Sequence, residues 1–248
     1  PSPAPLMRNL FIFLYKFKVF KRLVPSIIRR FYSKKKLFIK LESFKIFLNV
    51  ESSIDREIYL KGHYDKEKID FAENKVDLKK FDLFLDIGAY IGYYSLYLAS
   101  KYRNLKVISF EPISESYDQI KKSKEVNNFD KVEIFNFALS NINAEKNFWV
   151  TDLKKKSGFA LLNESDIKRE VNENQYNMDK ISYRKIKTKV FDEKFKHENK
   201  LVYVKIDVER HEFEVLKGAI NFFTKSSNKI FLQIEVVDHM KEKVLTLL

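Results

Sequence analysis

Residues 79–102, KKFDLFLDIGAYIGYYSLYLASKY, pass from apolar alternation through two glycines into a helical spacing of apolar residues. A strand, a tight turn and a helix in that order form a binding corner in an open α/β sheet, where ligands sit at the carboxyl ends of strands near the switch point. The turn itself, DIGAYIG, decides which ligand. A dinucleotide fingerprint spaces its glycines G-x-G-x-x-G, so that backbone can approach a pyrophosphate and the helix can pack on its strand. Counted from Gly88, those places hold Tyr90 and Tyr93, and two bulky rings there argue against NAD or FAD. No Gly-Lys-Ser/Thr occurs anywhere, which removes a P-loop.

The turn instead follows acidic-x-G-x-x-x-G, with Asp86, Gly88 and Gly92. That form suits a ligand with one ribose and no pyrophosphate. Asp86 at the strand end is expected to hold a cationic or hydroxyl-bearing part of it. Nineteen residues past Gly92 the next strand ends in SFEP, where Glu111 can accept hydrogen bonds from both ribose hydroxyls. The glycine pair together with an acid ending the adjacent strand points to S-adenosylmethionine, with S-adenosylhomocysteine as product. Asp86, Gly88, Ala89, Tyr90, Gly92, Glu111 and Pro112 are the candidate cofactor residues of these two turns.

The surrounding sequence agrees with an α/β domain. The chain has 248 residues, enough for one large domain with a substantial core. DLFLDIG, LKVISFEP, KVEIFNFALS (131–140), LVYVKIDV and KIFLQIEVV read as strands. They alternate with helical stretches at 91–102, 113–127 and 210–224, the signature of a mostly parallel sheet with helices on both faces. Residues 151–185 are polar, Asn- and Lys-rich and weakly periodic, and read as a long irregular insertion or lid. There is no cysteine, so disulfides, thiolate zinc sites and cysteine nucleophiles are excluded.

The +13 charge is unevenly placed. Residues 1–40 carry eleven basic side chains and no acid, which leaves 36 basic against 34 acidic residues in the rest. The main body is nearly neutral, which argues against a nucleic-acid partner inferred from overall charge. PSPAP at the start reads as a remnant of expression (residues 1–6), followed by a basic, aromatic helical segment and connecting elements over 7–78 and the main domain over 79–248. In 7–36 the longest uncharged run, Asn9–Tyr15, is far too short to span a bilayer, which needs about 20 apolar residues. Leu10, Phe13, Leu14, Phe17, Val24, Ile28 and Phe31 fall on one helical face, with Phe11, Val19 and Leu23 opposite, and Pro25 is expected to divide two helices. Two readings stand: a basic amphipathic anchor on an anionic membrane surface, or helices packed on the body or on a neighbouring subunit. The expected location is cytoplasmic, peripheral at the membrane in the first reading. KLFIKLESFKIFLNV (36–50) alternates like strands, and SSIDREIYLKG begins like a serine-capped helix.

Over residues 55–240 the chain resembles the FkbM family of S-adenosylmethionine-dependent methyltransferases. IDREIYLKGHYD, LFLDIGAYIGYYSLYLA, VISFEP, NFALSN and TKVFDE resemble its successive motifs, and YVKIDVERHEFEVLKGA is the most specific. The resemblance implies a Rossmann-like class I methyltransferase fold and O-methylation of hydroxyls on sugars, glycans or related small molecules. It places Asp207 at the boundary of cofactor and acceptor, and NFALS, with Asn136 and Ala138, beside the adenine. Two residues depart from the pattern: Tyr90 stands where asparagine is usual, and Arg210 where glycine is usual. The fold normally continues with a helix and an antiparallel hairpin, and the chain ends short of them.

Methyl transfer to an aliphatic hydroxyl needs the hydroxyl's proton removed, which a positioned base assists. KIDVERHE offers Asp207, Glu209, His211 and Glu212 within six positions, and strand alternation would put Asp207 and Glu209 on one side. His211 or Glu209 is the candidate base, with Asp207 orienting it or the acceptor; Glu212 reads as a cap of the following helix. Glu235, ending the last strand, faces the same sheet edge, and Tyr64 and Tyr93 are candidate pocket walls. HEFEV begins like a zinc-protease helix but has Val215 where the second histidine is needed, so no metal set is assigned. Two other classes remain open: a non-catalytic cofactor-binding scaffold, and an RNA-directed methyltransferase recruited through the basic segment.

Overall fold

The computed structural model describes residues 5–32, 36–151, 160–161 and 181–248. Helices α1 (Pro5–Tyr15) and α2 (Leu23–Phe31) lead into a hairpin of β1 (Lys36–Lys40) and β2 (Lys45–Asn49), then α3 (Ser53–Lys61) and α4 (Lys66–Lys75). Next come β3 (Leu83–Ile87), α5 (Tyr93–Lys101), β4 (Lys106–Phe110), α6 (Ser114–Asn127) and β5 (Val132–Phe135). An insertion carries β6 (Ala138–Leu139), β7 (Ala144–Thr151), β8 (Ala160–Leu161) and β9 (Ile181–Lys189). The chain continues through α7 (Phe191–Lys194), β10 (Leu201–Ile206), α8 (Glu212–Gly218), α9 (Ile220–Thr224), β11 (Lys229–Ile234) and α10 (Lys241–Leu245).

The central sheet runs β11-β10-β3-β4-β5, and every neighbouring pair is parallel. This is the Rossmann-like arrangement expected of a class I methyltransferase, with the switch point between β3 and β10. Both faces are covered, so the strands are nearly continuous apolar runs whose alternate side chains enter different cores. Phe84 and Tyr203 join a core shared with α1, α2, the hairpin and α3. Leu83, Leu85, Val202 and Val204 join the core beneath α8 and α9, with Val215, Leu216 and Phe222.

Local expectations are met where the pattern is strong and shift where tertiary contacts intervene. KVEIFNFALS is not one strand: it breaks at Asn136, whose amide donates to the Glu111 and Pro112 carbonyls at 2.9 and 3.1 Å, and Ala138–Leu139 joins the second sheet instead. The helix over 210–224 is two short helices meeting at Ala219, where Gly218 lies against the Ser140 carbonyl. The division between α1 and α2 falls at residues 16–22, not at Pro25, which sits in the first turn of α2 where no intrahelical N–H is required. Residues 181–185, read as part of an irregular insertion, belong to β9, which pairs antiparallel with β7. The rest of that insertion, 152–159 and 162–180, lies outside the described residues. The structure splits the expected apolar face of the first helices: Val24 and Ile28 are buried as part of it, whereas Leu10, Phe13, Phe17 and Phe31 are exposed, and Phe11 from the opposite side is buried. The core settles which apolar residues of these helices are covered.

The hairpin edge is satisfied by side chains rather than by another strand. Gln119, Ser123 and Asn127 project from α6 at four-residue spacing. Ser123 and Asn127 accept the Phe47 and Lys45 N–H groups at 2.9 and 2.8 Å, and Gln119 donates to the Phe47 carbonyl at 3.1 Å. Asp55 in α3 ties these parts together. Its fully buried carboxylate accepts from the Asn49 N–H at 2.7 Å, from Gln119 at 2.9 Å and from the Tyr90 hydroxyl at 3.0 Å. Replacing Asp55 by Ala leaves the Asn49 N–H without its acceptor and takes one partner each from Gln119 and Tyr90. Chemical denaturation should register a loss of about 3 kcal/mol, the scale for a buried network broken at its centre.

Candidate functional site

Three strand ends meet at the turn after β3. Gly88 has φ +82°, and its N–H and that of Ala89 both donate to the Phe110 carbonyl at 3.1 Å. On the other side the Asp207 N–H donates to the Ile87 carbonyl at 3.0 Å. A Cβ on Gly88 would lie 1.9 Å from the Asp207 carbonyl oxygen, so only glycine lets β10 close against this turn. Gly92 has a different task. It precedes α5 with φ +75°, and a Cβ there would come within 2.8 Å of Ile120 on α6. Gly92 secures helix packing and does not line the cleft.

Tyr90 holds the turn from outside. It adopts φ 51°, uncommon for a bulky residue. Its hydroxyl lies 2.7 Å from Ser52 Oγ and donates to Asp55, while its N–H donates to Glu111 Oε2 at 2.8 Å. Glu111 Oε1 accepts the Ile113 N–H at 2.8 Å. Burial pushes the Glu111 carboxyl up to about 8, against the pull of those two N–H groups. Each carboxylate oxygen still has an acceptor position beyond the N–H it receives.

Around these groups lies a cleft lined by Gly88, Ala89, Tyr90, Glu111, Pro112, Ala138, Asp207, Glu209 and His211 among the expected residues. Tyr64 and Tyr93 also line it. Phe110, Ile113 and Leu139 add apolar wall. The combination fits an adenosyl ligand: apolar surface for a base, a carboxylate with spare acceptors for a ribose diol, and a turn with no side chain at Gly88. Asp86 and Asn136 do not reach this wall. Asp86 is buried under the turn, accepts from Ser95 Oγ at 2.6 Å and supports it from below. The Asn136 side chain is used in the carbonyl contacts that end β5.

Lys205 was missed in the sequence. It is 5% exposed, lies in β10 opposite Asp86 in register, and sits 3.9 Å from Asp86 and 3.1 Å from the Asp207 carboxylate, above the Tyr94 ring at 5.0 Å. Burial works to lower its pKa, but Asp207 and Asp86 outweigh that and hold the ammonium above the usual lysine range. The available signal was a single lysine inside the apolar run LVYVKI, two residues before an acid. Lys205 and Asp207 also line a second depression with Lys68, Gln233 and Glu235, between apolar walls of Ile206 and Ile234, so they border two cavities. Glu235 accepts from Lys68 Nζ at 2.5 Å.

The residues after β10 do not continue the strand. It ends at Ile206, so alternation pairs Asp207 with Lys205 rather than with Glu209. Glu209 and Arg210 adopt φ 50° and 70°, the left-handed region that glycine occupies without strain, and Arg210 is not on the cleft wall. Glu212 closes this turn by accepting the Val208 and Arg210 N–H groups at 3.3 and 3.2 Å. His211 is buried, with Nε2 at 3.0 Å from Ser140 Oγ, and burial followed by the Lys146 charge lowers it to about 4. Its imidazole is neutral near pH 7.

The family model of the methyltransferase FkbM domain matches residues 86–245. Among solved structures, the chain is similar to precorrin-6y C5,15-methyltransferase from Geobacter metallireducens GS-15, at 12% identity over 75% of this chain and 71% of that one, TM-score 0.41. It is similar to a SAM-dependent methyltransferase from Agrobacterium tumefaciens at 8% identity over 86% and 57%, TM-score 0.41. A third similarity is to P. horikoshii TYW2 in complex with MeSAdo, at 17% identity over 51% and 54%, TM-score 0.32. The chain thus spans little more than half the length of the last two. No curated protein matches it.

Because a Cβ at Gly88 meets backbone rather than a flexible side chain, Gly88→Ala should force β3 and β10 apart. The expected result is a loss of more than about 2 kcal/mol in a denaturant titration, beyond the ordinary effect of a surface substitution.

Proposed function

The chain belongs to the FkbM family of S-adenosylmethionine-dependent methyltransferases, and from that premise we propose that it methylates a hydroxyl of a sugar, glycan or related small molecule. When bound, S-adenosylmethionine supplies an electrophilic methyl group on a sulfonium. Ala89, Tyr90, Glu111, Pro112 and Ala138 are the residues proposed to hold it, with Glu111 accepting from the ribose hydroxyls and the glycine turn giving close backbone approach. The acceptor is assigned to the depression beside the cleft, where Lys68, Gln233 and Glu235 offer donors and acceptors for hydroxyls beside the apolar Ile206 and Ile234.

One observation carries this reading: Asp207 borders both cavities, with Lys205 against its carboxylate. Asp207 is assigned to receive the acceptor hydroxyl's hydrogen bond and its proton, while Lys205 fixes the carboxylate's position. His211 lines the cleft but not the depression assigned to the acceptor, and its Nε2 is engaged by Ser140, so it is assigned no proton transfer. Glu209, turned off the strand, is assigned no proton transfer. Arg210 stands away from the cleft wall, which favours turnover over a purely scaffolding role.

Asp207→Asn should lower kcat by about 10²–10⁴-fold while cofactor affinity in calorimetry stays within a few-fold. His211→Gln and Glu209→Gln should cost much less. Full turnover in Asp207→Asn, measured against nucleotide sugars and glycans, would overturn the assignment.

The Glu111 shift gives a pH test with a definite sign. A carboxyl raised in the folded state favours folding in its protonated form; that contribution is complete below about pH 4.5 and is lost as pH rises through about 8. The ionised form has acceptors for two N–H groups and a diol, so cofactor affinity should strengthen by up to about tenfold between pH 7 and 9. In Glu111→Gln the affinity should be weaker and flat over that range.

A further inference from the structure

We infer that α1, α2 and the turn between them form a docking surface for an anionic lipid bilayer. Each helix carries two apolar faces. Met7, Phe11 and Leu14 of α1, and Val24 and Ile28 of α2 with Tyr32, pack into the core. A second face remains on each. Leu10, Phe13 and Phe17 recur at helical spacing and are exposed, as are Leu23, Ile27 and Phe31 at four-residue intervals. Val19, in the turn joining the helices, is 77% exposed. Exposed apolar groups in helical register on two neighbouring helices are not the scattered singles of an ordinary surface.

Charge identifies the occupant. Residues 5–32 contain Arg8, Lys16, Lys18, Lys21, Arg22, Arg29 and Arg30 and no acid. A second copy of this chain would set these cations against one another. Nucleic acid would neutralise them but would give the exposed leucines, isoleucine and valine nothing to enter. Anionic headgroups over acyl chains satisfy both sets at once. Among the described residues no helix is long and apolar enough to cross a membrane, so the contact is with the surface. The surface is also mechanically linked to the cleft: Arg8 of α1 donates to the Tyr59 carbonyl of α3 at 3.0 Å, and Ile54 of α3 lines the cleft.

The full chain should float with phosphatidylcholine vesicles containing phosphatidylglycerol, and far less with phosphatidylcholine alone. Leu23→Ser, Ile27→Ser and Phe31→Ser combined should abolish flotation at unchanged Tm, since all three side chains are exposed. Lys18→Gln, Lys21→Gln and Arg22→Gln combined should weaken vesicle binding on the order of a hundredfold. Failure to float with either vesicle overturns the inference. So does a lipid-free dimer that the serine variant dissolves, which would assign the face to a second copy, or RNA binding without flotation.

Discussion

The contact between Gly88 and the Asp207 backbone is the constraint on which the rest of the site depends. A side chain at Gly88 would place carbon 1.9 Å from a carbonyl oxygen, so β3 and β10 can approach only because that side chain is missing. Once they do, the Gly88 and Ala89 N–H groups reach the Phe110 carbonyl, and the Asp207 N–H reaches Ile87. Three strand ends become one rigid floor. Glu111 then follows β4 on one side of it and Asp207 follows β10 on the other, and the cleft lies between them.

That floor also gathers charge in a place poor in water. Asp86, Lys205 and Asp207 form a line in which the lysine stands between two carboxylates. A buried ammonium such as that of Lys205 persists only when paired, because desolvation costs several kcal/mol per ion. The arrangement uses register rather than flexible reach, since Lys205 and Asp86 are partners in adjacent parallel strands. Glu111 is stabilised differently, by two backbone N–H groups and no ion pair at hydrogen-bond distance. Its carboxyl rises to about 8 while that of the exposed Glu115, bonded by Arg184, is lowered. A single fold thus supplies one acid sensitive to pH near neutrality and one cation held firmly charged.

The N-terminal elements are built into this site rather than attached beside it. Asp55 and Ser52 hold the Tyr90 hydroxyl from α3 and its cap, and the hairpin leans on α6 through three polar side chains. Tyr90 takes a left-handed conformation that costs energy, and its hydroxyl contacts help offset that cost. An asparagine would tolerate the backbone angle better but could not span to α3. The tyrosine in the glycine turn therefore has a structural role in this chain: it couples α3 to the turn after β3.

The apolar runs DLFLDI, KVISF and LVYVKI and the glycine spacing were enough to determine a parallel sheet and the turn at its switch point. These features are local, set by backbone sterics and by burial on both faces of a strand. What the sequence left open depended on partners far along the chain. Asp86 could be placed at the turn but not beneath it, because Lys205 and Ser95 draw it downward. Asn136 looked like part of a strand until its amide found the Glu111 and Pro112 carbonyls. Helical periodicity put Phe13, Ile28 and Phe31 on one face and Phe11 opposite, and only packing on the core could bury Ile28 and Phe11 while leaving Phe13 and Phe31 exposed. Alternation beyond Ile206 failed because the left-handed turn at Glu209 and Arg210 closes around Glu212. Periodicity fixes which elements form, whereas which residues are covered, and which charge meets which, follows from packing between segments distant in the chain.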